Sequence, residues 1–155
     1  MHSVGDEAML LDETDIKILK ALTLDARLSS RQIAKQCGIS IGTVLSRIKK
    51  MEKEGIIKGY SALLDHERLG YELTVVSEIT VSKGRLLEVE SEIARLPNVC
   101  CVYDVTGLID AVIIAKFKNR DELGKFTKRL LSLPYMERTN THVVLTTVKE
   151  DFRII

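Results

Sequence analysis

The chain has 155 residues, of which 45% are hydrophobic and 29% charged, and its formal net charge is +1. This length allows one ordinary domain or two small ones, and the composition excludes a disordered or low-complexity protein. No apolar run approaches the ~20 residues that cross a bilayer, and no secretory signal opens the sequence, so we expect a cytoplasmic protein with no membrane partner.

Two helices are predicted at the start of the chain. Asp12 is a typical N-cap, and apolar residues follow it at helical spacing, which predicts a first helix over 13–24. Ser29 or Ser30 begins a second helix that continues to Gln36.

A third helix follows a tight turn at Gly38. Ser40 is its expected N-cap and Gly55 its end. One apolar stripe runs along it at the spacing i, i+4 and i+7: Val44, Ile48 and Met51. Two helices joined by a glycine turn, with another helix before them, are typical of a helix-turn-helix that enters the DNA major groove.

The charge of this region agrees with DNA binding. Between Arg27 and Tyr60 there are eight basic and two acidic residues, a net charge of +6 in a nearly neutral chain. We expect base contacts from the face of the third helix opposite its apolar stripe, and phosphate contacts from the start of the second helix. The serines also have a purely structural interpretation as helix caps, which we favour for Ser40. The predicted DNA-contacting residues are Ser29, Ser30, Arg31, Ser40, Thr43, Ser46, Arg47, Lys49 and Lys50.

A second domain follows a short extended segment at Ile56, Ile57 and Tyr60 and a hinge. We place the DNA-binding domain at 1–60, the hinge at 61–71 and the second domain at 72–155. The predicted strands are 72–81, 99–106, 110–117 and 139–148, and the predicted helices are 85–96 and 121–133. This βαββαβ order is that of a ferredoxin-like domain, so the expected fold class is α+β.

The first predicted strand has apolar residues on both of its sides. Val75, Val76, Ile79 and Val81 leave no polar face, although the helices of a ferredoxin-like domain cover only one side of the sheet. The uncovered side therefore predicts a homodimer.

The chain resembles the Lrp/AsnC family of leucine-responsive and asparagine-type regulators over residues 11–149. The resemblance rests on four segments: Leu11-Asp12 with 15–19, 30–39, 47–57 and Gly59-Tyr60. It implies a winged helix-turn-helix, a hinge and an effector-binding domain, in dimers that assemble further to tetramers or octamers. It also implies that the protein is not an enzyme but a transcriptional regulator, and that this regulator responds to an amino acid bound between subunits. One departure is Ile41-Gly42, where the family commonly has proline after the capping serine.

The turn between the second and third predicted strands is the candidate effector site. Backbone N–H groups around Gly107 suit the carboxylate of an amino acid, and the side chain of Asp110 suits its ammonium group. Similarity to the family implies that this turn, the last strand and Asp104 form the effector cleft. The predicted effector-binding residues are Asp104, Thr106, Gly107, Leu108, Ile109, Asp110, Thr139, Thr141 and His142.

Each of these residues also has a structural interpretation. Gly107 can simply form the hairpin, Asp110 can cap it, and threonines suit any strand. His142 is a lone histidine in an apolar strand, for which a structural role is commoner than a metal site. Leu108 and Ile109 also depart from the polar and aromatic residues common in the family, so the identity of the effector stays open.

Two other functions are compatible with the same architecture. One is a sirohaem decarboxylase-like enzyme, which would need acid–base groups around a tetrapyrrole cavity, whereas the three histidines here are far apart in sequence. The other is an architectural DNA binder without an effector. The cysteines, Cys37, Cys100 and Cys101, lack CxxC spacing, so we expect reduced thiols, no metal and no cofactor.

Overall fold

The computed structural model of the protein describes residues 10–155. The chain divides into two compact units. One contains the described residues up to Leu63 together with Glu150–Ile155, and the other contains Leu64–Lys149. No helix in residues 10–155 is long and apolar enough to span a membrane.

The first unit consists of three helices: α1 (Glu13–Leu24), α2 (Ser30–Cys37) and α3 (Ile41–Lys53). Each begins at a capping side chain. Asp12 and Ser29 form reciprocal capping boxes with the third residue of α1 and of α2, and Ser40 accepts the backbone N–H of Thr43. Gly38 ends α2 in the left-handed conformation (φ 68°), which permits the sharp turn into α3.

The three helices pack around one small core. The members are Ile18, Leu19, Ala21, Ile33, Ala34, Val44 and Met51, with Ile48 and Ile57 among the half-buried residues packed against them. The apolar stripe predicted for α3 therefore faces inward, which confirms the orientation of the helix within the helix-turn-helix.

The second unit has the order β1 (Leu73–Val81), α4 (Leu86–Ile93), β2 (Val99–Asp104), β3 (Ala111–Phe117), α5 (Arg120–Leu131) and β4 (Met136–Val143). The strands form one sheet in the order β2-β3-β1-β4, with every neighbouring pair antiparallel. The predicted α+β class and βαββαβ order are thus confirmed.

The two faces of this sheet differ in what covers them. On one face, residues such as Val75, Ile113 and Phe117 are buried in a core shared with Ile93 of α4 and Leu130 of α5. Because strand side chains alternate, the residues between them lie on the other face. We call this other face the open sheet face; it includes Val76, Glu78, Val112, Ile114, Asn140 and His142. Its apolar members are only half-buried.

Several predicted bounds differ from the structure. The last strand, expected over 139–148, is Met136–Val143. Tyr135 has a positive φ of 71°, and Met136 directly after it pairs with Val81 of β1. The strand therefore begins earlier than predicted. At its far end β4 stops near the beginning of β1, so the apolar Leu145 and Val148 stay exposed and do not extend the strand.

The first helix of the second unit is also shorter than predicted. It was expected over 85–96 and is Leu86–Ile93. The last predicted turn tightens instead into i→i+3 hydrogen bonds, from Arg95 N–H to Glu92 and from Leu96 N–H to Ile93, before Pro97. The segment 56–60 was expected to be extended, but the chain bends at Ile56 and Ile57, whose N–H groups both donate to the carbonyl of Met51, and residues 54–72 contain no paired strand.

Candidate nucleic-acid interface and effector turn

The outward side of α3 is the candidate nucleic-acid interface. Its exposed residues recur every three or four positions and form what we call the outer face of α3: Ile41, Gly42, Leu45, Ser46, Lys49, Lys50 and Lys53. No ion pair within residues 10–155 involves Lys49, Lys50 or Lys53. The outer face therefore presents its cations to solvent, as contacts with phosphate groups require.

Two residues predicted to read bases lie at the edge of this face. Thr43 is half-buried, and its hydroxyl lies 2.9 Å from the hydroxyl of Ser40. Arg47 is also half-buried, and its Nη1 donates to Asp12 Oδ2 at 2.6 Å and to Asp15 Oδ2 at 3.1 Å. Both side chains already have partners within the domain, whereas Leu45, Ser46 and Lys49 on the outer face are exposed.

The pairing of Arg47 joins the third helix to the start of the first. Asp15 is only 1% exposed, and the hydrogen bond to Asp12 and the charge of Asp15 raise the pKa of Arg47. A backbone hydrogen bond from Asp15 and the contact with Arg47 hold the pKa of Asp12 below its ordinary value. The arrangement fixes how α3 is presented, because α1 and α3 are joined by charged hydrogen bonds in addition to apolar packing.

The serines at the helix starts act as caps. Ser29 Oγ accepts from Gln32 N–H at 3.3 Å, and Ser40 Oγ accepts from Thr43 N–H at 3.0 Å. Ser46 on the outer face donates to the carbonyl of Thr43 at 3.0 Å. Ser30 and the exposed Arg31 lie in the first turn of α2, where backbone N–H groups without helical partners favour an anion.

Sequence reasoning missed four members of the outer face: Ile41, Gly42, Leu45 and Lys53. Ile41 and Leu45 were overlooked because apolar residues are normally assigned to a core, yet neither belongs to the core of the first unit, and they are 42% and 55% exposed. Their spacing could have identified them, since Leu45 directly follows the buried Val44 and so points to another side of the helix, and Ile41 lies one turn before Leu45.

The candidate effector turn joins β2 to β3. Gly107 has a φ of 129°, Leu108 is fully exposed, and the turn is closed by a hydrogen bond from Val105 N–H to the carbonyl of Asp110 at 3.0 Å. Asp110 ties the turn to β1: its N–H donates to the carbonyl of Ile79 at 2.9 Å, and its Oδ2 accepts from Val81 N–H at 2.7 Å. The carboxylate predicted to bind an ammonium group thus already has a structural partner.

An acidic cluster lies beside this turn. Asp104 pairs with Ala111, so its side chain leaves the sheet on the face that α4 and α5 cover. Burial raises the pKa of Glu90 on α4, and the negative charges of Asp104 and Asp110 raise it further. We call Glu90, Asp104 and Asp110 the acidic cluster. The structure has no group of His, Cys, Asp or Glu in residues 10–155 suited to holding a metal ion.

The structure separates the candidate residues of the last strand. Thr139 and Thr141 pair with Ile79 and Ser77 and share their face, and the Thr141 hydroxyl lies 2.8 Å from that of Ser77. His142 lies on the open sheet face, where its Nε2 is 3.7 Å from Glu78 Oε2. Thr139 lies at the same end of β1 as the turn residue Asp110, because Thr139 pairs with Ile79 and the carbonyl of Ile79 accepts the N–H of Asp110.

Both units match models of known protein families. A winged helix-turn-helix DNA-binding family model matches residues 11–58, and an Lrp/AsnC ligand binding domain model matches residues 74–154. An uncharacterised HTH-type transcriptional regulator of Pyrococcus abyssi is 48% identical over 145 residues, covering 94% of this chain and 99% of that protein. The HTH-type transcriptional regulator FL11 of Pyrococcus horikoshii is 39% identical, covering 90% of this chain and 93% of its own.

Solved structures agree with these matches. A transcriptional regulator of Neisseria meningitidis in complex with L-Met superimposes with a TM-score of 0.86 at 27% identity, covering 94% of this chain and 97% of that one. AsnC of E. coli superimposes with a TM-score of 0.85 at 26% identity, covering 94% and 99%.

Proposed function

Since the chain belongs to the Lrp/AsnC family and is a DNA-binding transcriptional regulator with an effector-binding domain, we propose that a small effector controls its affinity for DNA. The effector is an amino acid or a related molecule bound between subunits. By stabilising one assembly of dimers over another, it changes how paired α3 helices reach their half-sites. The relatives named above are transcriptional regulators, and we propose no catalytic activity for this chain.

The observation that carries the proposal is the cationic outer face of α3. Lys49, Lys50 and Lys53 supply phosphate contacts, while Ser46 and the residues near the start of the helix face the base edges. Ser30 and Arg31 hold the backbone at the start of α2. We assign Arg47 to positioning α3 through Asp12 and Asp15 rather than to reading a base.

The proposed dimer forms through the open sheet face. Val76, Val112 and Ile114 are half-buried there, whereas α4 and α5 pack on the other face, and a second copy of the same sheet would remove the three residues from water. Further assembly of such dimers to tetramers or octamers would create the effector cleft at the turn containing Gly107. The L-Met complex of the Neisseria regulator supports an amino acid as the class of effector.

Titration into duplex DNA from the flank of its own gene, at several salt concentrations, tests DNA binding. Lys49→Ala and Lys50→Ala should each weaken binding and reduce the salt slope by about one unit, because each removes one phosphate contact. Lys125→Ala is the matched control, as it removes an equally exposed lysine from α5 of the other unit. Unchanged slopes in both α3 variants would contradict the assignment.

Effector control requires a second measurement. The same titration with a panel of amino acids, together with the assembly size from light scattering, should show that one of them alters both DNA affinity and assembly. A panel that changes neither affinity, assembly nor melting temperature would leave a DNA binder that acts without an effector.

A further inference from the structure

Two large apolar side chains stand on the cationic outer face of α3. Ile41 and Leu45 are 42% and 55% exposed, and neither packs against the core of the first unit. They are four residues apart, so they are neighbours along one side of the helix, and Lys49 continues the same row. We infer that Leu45, with Ile41, reads thymine methyl groups in the operator; the inference rests on the proposed role of α3 in DNA binding.

The shape of the outer face supports close approach to base edges. Gly42 and Ser46 lie beside the apolar pair, and a Cβ added at Gly42 would meet only Ser40 Oγ, at 3.8 Å. Small residues along the middle of the face let the helix backbone lie deep in the major groove. Long side chains at its margin then reach the bases on one side and phosphates on the other.

The chemical groups exposed in the DNA major groove determine which contact Leu45 makes. The C5 methyl of thymine is the one apolar group that a base pair presents in the major groove, and an exposed leucine is its natural partner. A protein partner fits this surface less well, because Lys49, Lys50 and Lys53 would have to be brought into the same contact. The positive charge that surrounds the pair favours a polyanion instead.

The test removes methyl groups from the DNA and side chains from the protein in parallel. Duplexes are first selected from a random library by the wild-type protein, and each thymine of the best duplex is then replaced by deoxyuridine. Loss of one contacted methyl should weaken wild-type binding about fourfold, the effect of removing one buried carbon. Leu45→Ala should bind the thymine duplex more weakly and lose its sensitivity to deoxyuridine at one or two positions.

Two controls keep the result specific. Leu24→Ala removes an equally large, 82% exposed leucine from α1 and should retain the full wild-type response to deoxyuridine. The salt slope of Leu45→Ala should equal that of the wild type, since no phosphate contact is removed. Ile41→Ala should lose sensitivity at a thymine next to the one that Leu45 reads.

Other outcomes overturn the inference. If Leu45→Ala responds to every deoxyuridine as the wild type does, Leu45 reads no methyl. If the variant changes assembly size and not methyl sensitivity, the pair is a protein contact. A wild-type protein that binds a selected duplex with no methyl dependence overturns this inference alone, whereas one that selects no duplex at all overturns the DNA contact of α3 as well.

Discussion

The two units of the molecule surround a carboxyl group in opposite ways. Asp15 in the first unit is 1% exposed and accepts hydrogen bonds from Arg47 and from the N–H of Asp12. Glu90 in the second unit is half-buried, its Oε1 has no hydrogen-bond partner among the described residues, and the negative charges of Asp104 and Asp110 raise its pKa. The cost of removing the carboxyl group from water is therefore offset by partners at Asp15 and not offset at Glu90.

This difference between the two carboxyl groups matches the function of each site. The first unit must present α3 in one orientation to DNA, and a charged contact between α1 and α3 fixes that orientation. In the second unit the like charges of the acidic cluster lie beside the turn that we propose for the effector, and a bound ammonium group there would reduce their repulsion. The predictions below test this contrast.

Arg47→Ala should have the largest effect on stability. It leaves the carboxyl group of Asp15, which is 1% exposed, without its guanidinium partner, so the free energy of unfolding should fall by clearly more than for the loss of an exposed salt bridge. Urea denaturation of Arg47→Ala, Asp15→Asn and the double variant measures it. The two losses should not add, since both variants break the same contact.

Arg27→Ala is the control for this pair. Its salt bridge to Asp25 joins side chains that are 90% and 42% exposed, so we expect little or no change in the free energy of unfolding. An Arg47→Ala protein of wild-type stability that loses DNA affinity would show that Arg47 contacts DNA after all.

Asp110→Ala should have the next largest effect. Removal of Oδ2 leaves the N–H of the buried Val81 without its acceptor, a loss of about 2 kcal/mol. Asp110→Asn keeps an oxygen in place and should restore most of this stability. Hydrogen exchange at the Val81 amide should quicken in the alanine variant and stay slow in the asparagine variant.

The same two variants separate the two roles considered for Asp110. If its carboxylate also pairs with the ammonium group of an effector, Asp110→Asn will fold normally but bind the effector more weakly. Equal effector response in Asp110→Asn and wild type would assign the side chain to the turn alone.

Local signals made much of the fold predictable from the sequence. The bounds of α1 agree with the prediction because a cap at Asp12 and a regular apolar period act on adjacent residues. The order of the second unit was also predictable, whereas the end of β4 was not. The apolar residues beyond Val143 resemble a strand, but a strand ends where its partner does, and β1 begins at Leu73.

The candidate sites depend more heavily on contacts between distant residues. Periodicity placed Arg47 at the edge of the outer face of α3, but it could not reveal that Asp12 and Asp15, some thirty positions earlier, lie within reach of the guanidinium group. Nothing in the sequence indicated a role for Glu90, because a glutamate on a helix is normally solvated. Its significance comes from the fold, which brings the ends of β2 and β3 beside α4.

Glu90→Gln should have the smallest effect and the opposite sign. The pKa of Glu90 is raised in the folded state, so ionisation of its carboxyl group destabilises the fold. The protein therefore keeps this part of its stability at acid pH and loses it as the pH rises through the folded pKa of Glu90. The variant should therefore be more stable than wild type at neutral pH, by on the order of 1 kcal/mol, the scale of short-range repulsion in water. Denaturation across pH measures the difference.

The pH dependence distinguishes repulsion from a simple change of packing. Below the ordinary pKa of a glutamate both proteins carry a neutral side chain at position 90, so the advantage of Glu90→Gln should vanish there. Glu88→Gln, which alters an exposed residue paired with Arg85 on the same helix, should gain nothing at neutral pH. A Glu90→Gln advantage that persists unchanged at acid pH would come from packing. It would remove the contrast between the satisfied carboxyl of Asp15 and the unsatisfied one of Glu90.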